Sequence, residues 1–337
     1  MRVMVMKGHE RNITRVLFNR DGDLLFSAAS DKTPTVWDTE TGERLGTYNG
    51  HSGSITDMSV SWNSNRLVTA SGDCQVKLWK VQTGEELLTY THSGPVRGAQ
   101  WAEGGERFAT VCDPFVSHNA KIQVFYAPED ADPESLSPTP EVLIEIRNRE
   151  EKPTKVYWTQ FNEDLLVAYE NGWVRKYDPK TGEERTGEGS SAKLHEEKIN
   201  AITWDKQKIC FITASNDYRS CLVDAKTLKV LRVYQTDRPV NGAVISPIKD
   251  HVLLGGGQEA QSVTTTRGQA GKFETRFFHS IYEEEFGRVK GHFGPITAVD
   301  ISPDGLAFVS GSFDGYVRLH FFDDDYLFMR DEVPEEY

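Results

Sequence analysis

Cysteine is scarce in this sequence. Cys74, Cys112, Cys210 and Cys221 are scattered over 337 residues, with no CxxC pair and no histidine at metal-ligand spacing. That pattern excludes a disulfide scaffold or a zinc ribbon, and it predicts reduced core or strand residues of a cytosolic protein. Long apolar runs are missing as well. No stretch reaches the roughly 18 consecutive apolar residues of a spanning helix. At the N-terminus only six residues precede Lys7, too short a run for a signal peptide. Basic charge is in deficit, with 38 Lys and Arg against 51 Asp and Glu and a net charge of −13. Phosphate backbones are held by clustered cations, so the balance argues against direct RNA contact and favours basic partners. Hydrophobic content is only 38%, which suits many short strands rather than long buried helices.

What is present is a repeat. Gly8-His9 is followed by an alternating apolar stretch (Ile13, Val16, Phe18), a turn at Asp21-Gly22, then Ser27, Asp31 and Trp37-Asp38. His51, Thr69, Asp73 and Trp79 keep the same offsets: 22 residues from His to Asp and six from Asp to Trp. His195/Asp217 and His292/Asp314 keep the 22, with Val223 and His320 at the aromatic position and Thr213 and Ser310 four residues before the acid. Three polar positions held in register four times mark an internal repeat of about forty residues.

The repeat has a physical logic. Four short strands make one small antiparallel sheet, and several such sheets stack around an axis. A buried Trp N–H requires an acceptor. The sets His9, Ser27, Asp31, Trp37 and His51, Thr69, Asp73, Trp79 supply it as structural tetrads: hydroxyl beneath indole, imidazole beneath hydroxyl, carboxylate holding the imidazole. Ser, His and Asp are also the residue types of a hydrolase triad. A nucleophile is needed once, however, whereas this trio recurs in every well-kept repeat, so no catalytic residue is assigned. With Trp37-Asp38 and the openings Gly8-His9, Gly50-His51 and Gly291-His292, the pattern resembles the WD-repeat family. The resemblance implies an all-β, seven-bladed WD40 propeller with no cofactor and no metal.

Residues 2–6 alternate at strand period ahead of the first repeat, while the last repeat lacks a fourth strand. The N-terminal strand is therefore predicted to close the last sheet, which removes the open edges at which sheets associate. The propeller is expected over residues 1–323, with an acidic tail over 324–337. Repeat three has Pro114 where its turn Asp is expected, and Asn119 and Phe125 keep the later offset. Residues 127–141 carry four prolines and five acids and are predicted to be a flexible, unpacked surface loop. Repeat four shows three strands, with Asn171 and Tyr177 replacing Asp and Trp, and a loose Gly/Ser connection over 187–191.

Repeat six carries an insertion over 257–272. Its glycines raise the possibility of a phosphate-cradling loop, but Gly268 and Gly271-Lys272 are two residues apart rather than four, and Phe273 replaces Ser or Thr. The run Leu253-Leu254-Gly255-Gly256-Gly257-Gln258-Glu259-Ala260, with Phe273-Glu274-Thr275-Arg276-Phe277-Phe278-His279 and Glu283-Glu284-Glu285-Phe286-Gly287, resembles the subunit i family of eukaryotic translation initiation factor 3. Gly42-Glu43-Arg44-Leu45-Gly46-Thr47-Tyr48 and Arg238-Pro239-Val240-Asn241 support it, and the likeness covers the whole chain. It implies a non-enzymatic scaffold subunit that binds the C-terminal segment of subunit b and the N-terminal part of subunit g. Through that complex it would reach the small ribosomal subunit and support 43S preinitiation complex assembly, mRNA recruitment and scanning, in the cytoplasm.

Turns between first and second and between third and fourth strands emerge on one face of a propeller. In repeats five and six they carry Asp205, Asp224, Asp250, Glu283, Glu284 and Glu285, read either as a solvated rim or as a dock for a basic amphipathic helix with Tyr282 and Phe286 as apolar anchors. Two other classes compete with the initiation-factor reading. A signalling scaffold fits the generic repeats. An enzyme built on a propeller would require a unique polar cluster at the central channel, whereas the sequence shows clusters that repeat blade by blade.

Overall fold

The computed structural model describes residues 1–257 and 273–329. Within them the chain forms seven four-stranded antiparallel sheets, and the one α-helix is the short Asp324–Leu327. The innermost strands are Ile13–Phe18, Ile55–Val60, Val96–Trp101, Pro153–Trp158, Ile199–Trp204, Val240–Ile245 and Ile296–Ile301. Second strands such as Arg66–Ser71 and Ala307–Ser312 are buried at every position. They are covered on both faces by neighbouring blades, which explains their runs of apolar and small residues rather than alternation. Outer strands such as Arg44–Thr47 are exposed or half-buried. No described helix is long and apolar enough to cross a membrane.

The ring closes as the sequence predicts. Arg2–Met6 lies antiparallel to Val317–Phe321, in register from Arg2 opposite Phe321 to Met6 opposite Val317, and supplies the fourth strand of blade seven. The inner strands carry a further device. Each has a bulge at its second residue: Thr14, Thr56, Arg97, Thr154, Asn200, Asn241 and Thr297. A bulge turns its side chain out of the pleat, and four of these reach the next blade. Thr56 donates to the Val96 carbonyl (2.6 Å), Thr154 to that of Ile199 (2.9 Å), Asn200 to that of Val240 (2.9 Å) and Asn241 to that of Ile296 (2.8 Å).

The tetrads form the predicted hydrogen-bond chain. Trp37 Nε1 donates to Ser27 Oγ (2.7 Å), which meets His9 Nε2 (2.7 Å), and His9 Nδ1 meets Asp31 (2.8 Å). In blade two the corresponding distances through Trp79, Thr69, His51 and Asp73 are 2.8, 2.8 and 2.9 Å. Burial lowers the pKa of His51, so its ring is neutral at pH 7 and Nδ1–H can donate to the carboxylate. For Asp73 burial works the other way, but hydrogen bonds from His51 and the Ser52 N–H outweigh it and hold the pKa below the usual value. Blade three has lost the acid. His92 Nε2 still meets Thr110 (2.9 Å), but Nδ1 turns to the Tyr90 carbonyl (3.2 Å), and burial pushes the imidazole down to about 4. Asp73→Ala removes an acceptor from a buried imidazole. It is expected to cost about 1–3 kcal/mol, read as a lower urea midpoint with an unchanged m value.

Three expectations need correction. Blade four has a fourth strand, Ser191–Lys193, paired with Trp173–Tyr177; its three residues sit beside a Gly/Ser segment too short to show alternation. The 127–141 segment is the expected exposed surface loop over most of its length, but it is anchored rather than unpacked. The buried Arg66 guanidinium donates to the carbonyls of Ala127 and Ala131, and Leu136 lies against the core between blades two and three. The third concerns the channel. Arg15 and Lys155, from blades one and four, converge on Asp57 of blade two at 3.4 and 3.0 Å. Asp300 of blade seven accepts the Phe18 N–H of blade one (2.9 Å), and burial raises it to about 6 against the pull of Arg15. A unique polar cluster therefore does line the axis. Its carboxylates are committed to ion pairs and backbone N–H groups, so it acts as a staple between blades.

Residues 258–272, with Gly268 and Gly271-Lys272, and tail residues 330–337 lie outside the described residues, whereas Gly255 and Gly256 of the triple glycine belong to the strand His251–Gly256. The start of the tail packs on the propeller: Tyr326 stacks on Phe322 with centroids 4.1 Å apart, and its hydroxyl meets His251 Nδ1 (2.9 Å).

Candidate interaction surface

The acidic turns of blades five and six do share one face, and the structure shows what each carboxylate does there. Asp205 closes the turn after Trp204: Oδ1 accepts the Cys210 N–H (2.9 Å) and Oδ2 that of Gln207 (3.3 Å). Asp224 stands at the position of Asp38 in blade one. Its Oδ1 accepts from the Thr227 N–H and hydroxyl (2.7 Å each) and the Lys226 N–H (3.1 Å). The two Thr227 bonds, ahead of any other influence, hold its pKa below the usual carboxylate value. Asp38 and Thr41 make the same turn. Both acids are thus turn-formers first, and both are half-buried. Asp250 and Glu284 are exposed.

Glu283 takes a left-handed backbone, φ 62°. It pairs with Arg232 at 3.8 Å, while Arg232 Nε donates to the Ile281 carbonyl (3.0 Å). These contacts tie the outer strand of blade five to the turn of blade six. Glu285 is engaged by Arg288 and, at 3.7 Å, by Arg276, so it is partly neutralised. Tyr282 lies over His279 and Phe286 over His251, each with centroids 4.4 Å apart. Each leaves an exposed flank.

Sequence reasoning missed the aliphatic part of this surface. Val230 and Leu231 on the outer strand of blade five and Ile281 in the turn of blade six are all exposed, Leu231 by 45%. The signal was present in the strand Val230–Gln235, whose first three residues are all exposed. On an outer strand, apolar residues facing water mark a contact face. Carboxylates and exposed apolar side chains on the same two blades suit an amphipathic segment: charges steer and select, and apolar contacts bind.

No group of three or more His, Cys, Asp or Glu stands in metal-holding arrangement among the described residues, and all four cysteines are unpaired. Fold, tetrads and turns together define a seven-bladed WD-repeat propeller whose distinctive features are on its faces. A family model described as EIF3I matches residues 1–331. Proteins named eukaryotic translation initiation factor 3 subunit I are similar throughout. The one from Nematostella vectensis is 41% identical over 337 residues, covering all of both chains. Those from Xenopus laevis and Debaryomyces hansenii are each 42% identical over 97% of this chain, and 98% and 95% of their own. The chain belongs to the eukaryotic translation initiation factor 3 subunit I family.

Proposed function

We propose that this chain is a non-enzymatic scaffold subunit of initiation factor 3 acting in the cytoplasm. In this reading it binds the C-terminal segment of subunit b and the N-terminal part of subunit g. Through them it supports 43S preinitiation complex assembly, mRNA recruitment and scanning. The observation that carries the reading is that the turns of blades five and six bearing Asp205, Asp224, Asp250 and Glu283 occur together with exposed Leu231, Ile281, Tyr282 and Phe286 on the same two blades. A basic amphipathic helix from subunit b is the occupant with matching chemistry. The full-length family match favours this role over a signalling scaffold, which shares only the generic repeats.

The test is co-purification of subunit b with two variants. Asp205→Lys with Asp224→Lys reverses the charge, and about tenfold weaker retention is expected. Because both carboxylates also cap their turns, each loss costs about 1 kcal/mol, and melting is measured alongside. Leu231→Glu has no turn to maintain and is expected to lose subunit b at unchanged melting temperature. Full retention of subunit b by both variants would remove this surface from consideration.

A further inference from the structure

The turn between the first two strands of blade four departs from its counterparts. It spans residues 159–164, six positions, where the other six blades use five. Two consecutive residues in it are left-handed, Phe161 and Asn162, each at φ 56°. Blade three makes the same double left-handed step with Gly104 and Gly105. Asparagine tolerates that conformation, but a bulky aromatic does not adopt it without strain. The strained ring is not repaid by burial, because Phe161 is 75% exposed.

A brace holds the turn in this form. Glu103, in the equivalent turn of blade three, donates its backbone N–H to Asn162 Oδ1 (2.9 Å) and accepts Asn162 Nδ2 at its carbonyl (2.9 Å). Its carboxylate accepts the Phe161 N–H (3.3 Å) and pairs with Lys208 of blade five (2.9 Å). Three adjacent turns thus fix the backbone at Phe161. It stands on the rim of a groove of about 1070 Å³ between blades three and four. Ala102 and Trp158, both buried, form its floor, and Val142 forms part of its wall. The lining holds six carboxylates and three cations. Arg107 is already paired with Glu141 and Glu106, and Arg185 with Asp164 and Asp178, so the surplus is negative.

We propose that this groove is a second docking surface, which takes a basic segment of a partner protein and clamps one of its apolar side chains between Phe161 and Trp158. The exposed aromatic on a braced backbone is the anchor, since such residues dominate interface energetics. The surplus of carboxylates selects lysine- or arginine-rich chain and repels phosphate backbones. Strain kept at an exposed position, where glycine would relieve it, is the expected signature of a residue held for binding.

The test uses the whole factor purified from cells through this subunit, with a photoactivatable benzophenone amino acid at position 161. The expected result is a cross-link to one protein segment that is net positive and contains an apolar residue. In parallel, Phe161→Gly removes the ring and the strain together. It is expected to leave the melting temperature unchanged or higher while cutting salt-resistant retention of the cross-linked protein at least tenfold. A cross-link to an acidic segment, to RNA or only within this chain, or no cross-link at all, would overturn the proposal. So would a lower melting temperature for Phe161→Gly, which would make the ring structural. The two surfaces fail separately, because charge reversal at blades five and six leaves the position-161 cross-link in place.

Discussion

Asp57→Ala is expected to destabilise the protein by about 3–5 kcal/mol, the usual cost of breaking a buried ion pair by removing one partner. Asp57 is 1% exposed and is the common partner of Arg15 and Lys155, while its own backbone neighbour Met58 donates an N–H to it (3.0 Å). Without it, two cations from opposite sides of the ring lose their common carboxylate. Burial already lowers the pKa of Lys155, and Asp57 is the main influence opposing that. A domain is stable by about 5–15 kcal/mol in total, so most of the margin goes. Urea unfolding is the measurement. A control substitution at the exposed Asp21 should shift the midpoint little. An Asp57→Ala midpoint equal to the control would show that the axial charges do not staple the blades.

Removal of residues 1–7 is expected to have a comparable effect by another route. Met6 is buried among Val16, Leu25, Trp37, Val309 and Leu319 at the contact of blades seven and one. One buried methionine and a five-residue ladder together represent of the order of 5 kcal/mol. Beyond the lost energy, Val317–Phe321 becomes an open edge with a full row of unpaired backbone groups. The shortened chain should sediment as oligomers or aggregate and lose its sharp melting transition. A monomer that melts normally would contradict closure by the N-terminal strand.

Much of the fold was legible because one constraint writes itself into sequence at fixed spacing. A tetrad uses residues of a single blade, so His9 and Asp31, or His51 and Asp73, keep their 22-residue offset. Where a blade solves the problem differently, the writing fades. Phe125 needs no acceptor, so blade three could lose its acid. Tyr177 replaces Trp in blade four and bonds the Tyr169 hydroxyl at 2.6 Å. Contacts between blades leave no such trace. Arg15, Asp57 and Lys155 are separated by up to 140 residues and meet only because the ring brings first strands together. The hold of Arg66 on the 127–141 segment is of the same kind. The acids of blades five and six were visible as composition, but not their employment in turns. The strain at Phe161 depends on a backbone angle that residue type argues against.

The closing strand also sets an order of events during synthesis. Residues 2–6 are made first, yet their partner, Val317–Phe321, is made after more than three hundred others. At about 5–20 residues per second, the first strand waits roughly 15–60 s with nothing to pair with. Blades one to six can form as they emerge, but blade seven cannot, and neither can its contact with blade one. Closure therefore waits for Val317–Phe321 to emerge and cannot accompany the folding of the first blades. For that interval Arg2–Met6 has no partner strand, and blade one has no neighbour on the side that blade seven will cover.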